Sequence, residues 1–193
     1  MLEEKLRGIH ALVGQLVTDI NEIELGWYFI YGAFVFPAPK PITDAIFNFQ
    51  NIGNRQRQLV MTVAGALYPD DHPVIEFLGK LKSETDLLIG RRNAVVHSGI
   101  FIQQSAPPKI TAAGIGKPSK LKDKDIESEL RDCIKVADRL VHVIFNFLNT
   151  MEFQVGRLEH ELPRPPKLRD EWINPLSQSP EGGAPQSPKR GGK

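Results

Sequence analysis

The run Leu87-Leu-Ile-Gly-Arg-Arg-Asn-Ala-Val-Val-His-Ser-Gly99 gathers a guanidinium, a carboxamide and an imidazole into a short stretch of helical character. Arg92 offers a planar fork of donors that suits anionic oxygens, and His97 carries the side chain that exchanges protons near neutral pH. Together they suit acid–base chemistry on a substrate whose transition state gathers negative charge. Asn93 lies four residues before His97, on the same helix edge as Asp86, and can help hold one imidazole tautomer.

On a wheel of ~100° per residue, Phe77, Leu81, Leu88 and Val95 share one arc, flanked by Val74, Leu78, Ile89 and Val96, and Arg92 falls in its middle. A guanidinium there is costly unless its donors find anionic or carbonyl partners. Either its stem packs on the core while the head reaches an edge or a buried acid, or the position serves function. Arg92 and His97 lie roughly 140° apart on one helix and converge poorly within a subunit. Two copies of the helix meeting across a two-fold axis would bring two arginines and two histidines into one pocket.

Four segments carry a helical period, and none carries sustained strand-like alternation. The first spans residues 2–36, with Leu6, Ile9, Val13, Leu16, Ile20 and Ile23 spaced by three and four, and ends at Pro37, Pro39 and Pro41. The second spans 42–67 with an interruption at Asn51-Ile-Gly-Asn54. The third spans 73–102, with Asp71 as N-cap, Pro73 in the first turn, Glu76 favoured by the helix dipole, and Gly90 as a point of bending. Across 103–122 the period lapses among Pro107, Pro108, Gly114, Gly116 and Pro118, and the segment is lysine-rich. It reads as an inserted basic element, either a mobile loop or a short hairpin at Ile110 to Ile115. The fourth helical segment starts near Asp123 or Asp125 and runs to Leu158, with Ile126, Leu130, Ile134, Ala137, Leu140, Val141, Ile144, Phe145 and Leu148 on one face. The expected fold is all-α, a four- to five-helix up-and-down bundle over residues 1–160. Residues 161–193, rich in proline and glycine, are expected to be disordered, with Trp172 and Ile173 the exceptions that could dock locally.

The segment Arg92-Asn-Ala-Val-Val-His97, late in an amphipathic helix of such a bundle, resembles the Arg-X4-6-His signature of HEPN domains, with Asn93 as the polar residue that usually follows the arginine. The resemblance implies a dimeric helical bundle with the motif at the dimer interface. It also implies a metal-independent endoribonuclease of a toxin–antitoxin, defence or RNA-processing system, with Arg92 and His97 catalytic and Asn93 in support. His97 would then take a proton from a ribose 2′-OH or give one to the leaving oxygen, and Arg92 would neutralise the phosphorane. RNA contacts would fall to the basic element, at Lys109, Lys117 and Lys120. The implied partners are a second copy, an RNA substrate and a cognate antitoxin or other protein, with no cofactor. The rival expectation is a non-catalytic HEPN-like module that dimerises or binds a partner, with Arg92 and His97 structural.

Composition narrows the field. A length of 193 residues suits one domain, and a formal charge of +1 supplies no global field for nucleic acid, so any such contact must be local. The single cysteine, Cys133, can form neither an intrachain disulfide nor a thiolate cluster, which fits a reducing, cytoplasmic setting. The start Met1-Leu-Glu-Glu-Lys does not read as a secretory signal, and the apolar run Leu25 to Phe36 is shorter than the roughly 20 residues of a membrane span. No set of metal ligands is apparent. Gly114-Ile-Gly-Lys-Pro-Ser119 echoes a phosphate loop, but Thr111 stands where its first glycine belongs. Asp70-Asp71-His72 is explained by helix capping. His142 reads as a core histidine, and His10 and His160 as surface residues. The aromatic cluster Trp27, Tyr28, Phe29, Tyr31, Phe34 and Phe36 reads as core or as a dimer face.

Overall fold

A computed structural model describes residues 2–103, 109–114 and 125–151. The expected disorder of the tail, the sites at Lys117 and Lys120, and the surface placement of His160 lie outside those residues. The described chain is all-α in class, with five helices and a small hairpin.

The three-and-four spacing of the first segment produces α1 (Leu2–Val35), whose buried line runs through Ile9, Leu16, Ile20, Ile23, Trp27, Ile30 and Phe34. Pro37 and Pro39 follow its end, and α2 (Lys40–Phe49) begins directly after Pro39. The expected break near Asn51 is real. Asn51 takes a left-handed backbone (φ 51°), a conformation that asparagine tolerates, and extended Ile52 then opens α3 (Gly53–Leu67). α4 (Pro73–Val96) is capped by His72 rather than Asp71, because the imidazole Nδ1 accepts the Val74 N–H at 3.2 Å. Gly90 lies inside this continuous helix. α5 (Ile126–Thr150) is capped by Asp125, whose carboxylate accepts the Glu127 N–H at 3.1 Å. It stops at Thr150, short of the expected Leu158, after its last buried residues Phe147 and Leu148.

The region between α4 and α5 differs most from the sequence reading. The helix expected to reach Ile102 ends at Val96, and β1 (Ser98–Gln103) pairs antiparallel with β2 (Lys109–Gly114), Ile100 opposite Ala112 and Ile102 opposite Ile110. Gly99 and the β-branched and aromatic run Ile100-Phe101-Ile102 favour leaving the helix once a partner strand exists. That partner lies beyond two prolines, so the alternation of each strand alone is too short to notice. The hairpin thus uses the Ile110 segment as one strand only.

Cross-helix contacts set the directions. Glu24 meets Arg57 and Phe34 meets Tyr68, so α1 and α3 run the same way. Arg91 meets Glu129 and Phe77 stacks on Phe147 at 4.8 Å, so α4 runs opposite to α5, and Gly26 of α1 lies against Ile144 of α5. Trp27 is fully buried and donates its indole N–H to Thr85 Oγ1 at 3.3 Å, while Thr85 donates to the Leu81 carbonyl. The largest aromatic of the core is thereby satisfied as well as packed. Of the aromatic cluster, Trp27, Tyr31 and Phe34 are core, whereas Phe29 and Phe36 are exposed. No helix among the described residues is long and apolar enough to cross a membrane.

Candidate functional site

Arg92 occupies the place the wheel gives it. Leu88 and Val95, four residues before and three after, are both buried, and Arg92 between them is half-buried. Its Nη1 donates to Asn93 Oδ1 at 2.9 Å, while its Nε is buried without a hydrogen-bond partner among the described residues. A buried donor left unpaired costs about 1–3 kcal/mol. A leucine or methionine at this place would avoid that cost.

Asn93 has a different task from the one its spacing suggests. Its side-chain oxygen accepts from Arg92, and its main-chain carbonyl accepts the His97 N–H at 3.0 Å. Asn93 therefore orients the guanidinium and closes the last turn of α4, and its oxygen is not the group that fixes the imidazole. His97 is the C-cap of α4, with φ −87° and ψ −2°, and is exposed. The site is thus a fixed arginine at the edge of the core and an open imidazole at a helix end.

The turn that carries these residues is tied to the neighbouring helix. Arg91 Nε donates to Glu129 Oε1 at 2.8 Å, joining the end of α4 to the beginning of α5. Burial alone would lower the pKa of Arg91, but the hydrogen bond to Glu129 and nearby negative groups outweigh it and raise it. Lys109 falls in β2, on the strand paired to the one that leaves His97.

Among the described residues the fully buried arginine is Arg57, which the sequence reading did not single out. Its side chain is 2% exposed, and it donates Nη1 to Glu24 Oε1 at 2.6 Å and Nη2 and Nε to Asp86 Oδ1 at 2.6 and 2.9 Å. Lys82 completes the cluster by donating to Asp86 Oδ2 at 2.7 Å. One guanidinium so links α1, α3 and α4. Burial pushes the Asp86 carboxyl upward, but hydrogen bonds from Lys82 and Arg57 and their charges outweigh it and hold it below its ordinary value. Gly53 makes room for the cluster, since a Cβ there would lie 2.7 Å from Glu24 Oε1 and 2.9 Å from Arg57 Nη1. Arg57 was visible in principle, because it shares the three-and-four spacing of Val60 and Ala64 on the buried face of α3.

His142 corrects another expectation: it is exposed, because it lies outside the face of α5 that packs Leu140, Val143, Ile144 and Phe147 inward. His10 is exposed as expected. Against known proteins, no family model, curated protein or solved structure matches this chain.

Proposed function

We propose that this chain is a HEPN-like, metal-independent endoribonuclease that acts as a homodimer, in a toxin–antitoxin or defence setting, with Arg92 and His97 as its catalytic residues. The observation that carries the reading is Arg92: an arginine on the core-facing arc of α4, held by Asn93, with a buried Nε that has no hydrogen-bond partner among the described residues, five residues before an exposed histidine. In the reaction the ribose 2′-oxygen attacks phosphorus and the bond to the 5′-oxygen breaks. A 2′,3′-cyclic phosphate and a 5′-hydroxyl result. His97 moves the proton, and Arg92 neutralises the charge of the phosphorane. Asn93 positions the guanidinium. RNA contact falls to the basic element, at Lys109, Lys117 and Lys120.

The rival is a non-catalytic HEPN-like partner-binding module, and one observation favours it. Arg57 is a second arginine on an apolar arc, and its guanidinium is taken up by Glu24 and Asp86 of neighbouring helices.

The deciding assay is RNA cleavage in EDTA by wild type, Arg92→Ala and His97→Ala at matched purity, with folding checked by circular dichroism. Cyclic phosphate ends from wild type, and a loss of roughly 100-fold or more in each folded variant, are expected. Three equally inert or equally active preparations would remove the catalytic claim.

A further inference from the structure

The short helix α2 carries an apolar stripe on its outer side. Its buried residues are Thr43 and Phe47, and Phe47 packs edge-on against Tyr28. Ile42, Ile46 and Phe49, spaced by four and three, are 53%, 45% and 81% exposed, and Ile52 in the following turn is 53% exposed. The polar border of this stripe is basic. Residues 40–58 hold one carboxylate, Asp44, which accepts the Tyr28 hydroxyl and pairs with Lys40. Lys40, before Ile42, and Arg55, after Ile52, are both exposed.

We infer that this face receives the chain's own segment 168–176, with Trp172 and Ile173 as anchors. That segment lies outside the described residues, and three features select it. The first is composition. After Leu162 the large apolar side chains are Leu168, Trp172, Ile173 and Leu176, all within nine residues, and Asp170 and Glu171 bring acids to the basic border. Trp172 alone adds about 150–250 Å² of surface that gains from leaving water. The second is reach. Asp19 of α1 faces Asp138 of α5 and Gly26 lies against Ile144, so α1 and α5 run the same way. Helix α5 therefore ends, at Thr150, beside the end of α1 that leads into α2. Because α1 packs against both α5 and α2, two helix spacings of about 10 Å each separate them. Trp172 follows Met151 by 21 residues, and a chain of that length spans roughly 25 Å on average. The third is area. The four exposed side chains offer roughly 400 Å² of apolar surface, about half of what a standard interface covers on one partner. A free partner gains little from so small a face, whereas a tethered segment meets it at an effective concentration on the order of millimolar. Neither the face nor its occupant involves Arg92 or His97, so this inference and the ribonuclease reading stand or fall separately.

The test is acrylamide quenching of tryptophan fluorescence on the full chain, with wild type, Ile46→Asp, Phe49→Asp and Trp172→Phe. Trp27 is fully buried, so Trp172 decides how much of the emission is accessible. Wild type should be shielded, and each aspartate should raise the quenching of Trp172 to that of a free tryptophan. Both aspartate positions are exposed, so thermal melting should show the variants folded. Adding Phe49→Asp to Trp172→Phe should leave quenching unchanged. A second readout is oxidation of Ala45→Cys, exposed at the edge of the stripe, paired with Asn174→Cys, with Cys133 buried throughout. The disulfide should close within one chain at a rate independent of protein concentration. The pair Ser83→Cys, exposed on α4, and Asn174→Cys should react roughly tenfold more slowly. A Trp172 as accessible in wild type as in the aspartate variants, or a cross-link no faster than this control, overturns the inference and leaves the face to a different protein. A cross-link that joins two chains and quickens with concentration overturns it in favour of a second copy.

Discussion

Replacing Arg57 by methionine should be among the most damaging single changes in this chain that leave its apolar core intact. Methionine keeps most of the stem volume but removes every donor, so Glu24 loses the hydrogen bond from Arg57 Nη1 and Asp86 loses two. Breaking a buried pair by removing one partner costs about 3–5 kcal/mol, because the charge left behind is uncompensated. Here the two carboxylates are 28% and 32% exposed and Asp86 keeps Lys82, so water and the lysine recover part of the loss. The expected cost is therefore at the low end, about 3 kcal/mol. In a single domain with about 5–15 kcal/mol of stability, that is a large fraction. Urea unfolding followed by circular dichroism should show an unchanged slope and a midpoint lower by roughly 1–2 M. Arg57→Lys should rescue little, since one ammonium cannot reproduce the fork that spans both acids. Adding Glu24→Gln to Arg57→Met should cost less than the two changes summed, with a coupling of about 1–2 kcal/mol. A cost below about 1 kcal/mol, or strict additivity in that cycle, would refute the claim that this cluster holds α1, α3 and α4 together.

Two further predictions concern packing and pH. Gly26→Ala should destabilise the chain by about 1–3 kcal/mol despite alanine's better helix propensity, because its methyl would collide with Ile144, a fully buried, β-branched residue of α5; a thermal melt at or above the wild-type midpoint would contradict this. Asp19 has a buried Oδ2 without a hydrogen-bond partner among the described residues, and its carboxyl is raised by burial first and then by Asp138 and Glu22. A carboxyl raised in the folded state penalises folding above that folded value, and the penalty fades as pH falls toward the unfolded value. Asp19→Asn should thus stabilise at pH 7 by up to about 1 kcal/mol and lose its advantage in acid, whereas a variant equally or less stable than wild type at pH 7 would count against it. Asp86, lowered in the folded state, works in the opposite sense: its contribution is present at neutral pH and is lost as pH falls below the ordinary carboxylate range.

Much of the architecture is legible in the chain because helices record their buried face locally. The spacing of Ile9, Leu16, Ile20 and Ile23 is enough to define α1, and Ile126, Leu130, Ile134 and Ala137 do the same for α5. Arg92 announces itself the same way, as a charge on an apolar arc, and the structure leaves it half-buried between Leu88 and Val95. Capping is less legible, since Asp71 and His72 are neighbours that can each accept an N–H, and only the backbone path favours His72.

What the chain does not record locally was decided by tertiary structure. The hairpin arises because β1 and β2 satisfy each other's backbone across a proline-bearing connection, and neither strand has enough length alone to compete with helix. The ion cluster is the stronger case. Glu24 and Asp86 lie 33 and 29 positions from Arg57, and pattern analysis cannot pair them. Arg57 and Arg92 look alike as charges on apolar arcs, yet one is paired with acids from two other helices, and among the described residues the other is held by Asn93 alone. Sequence by itself determined where charges interrupt the apolar faces. Only the packing of the helices decided which charge found partners, because the cost of burying a guanidinium depends on what the rest of the chain brings to it.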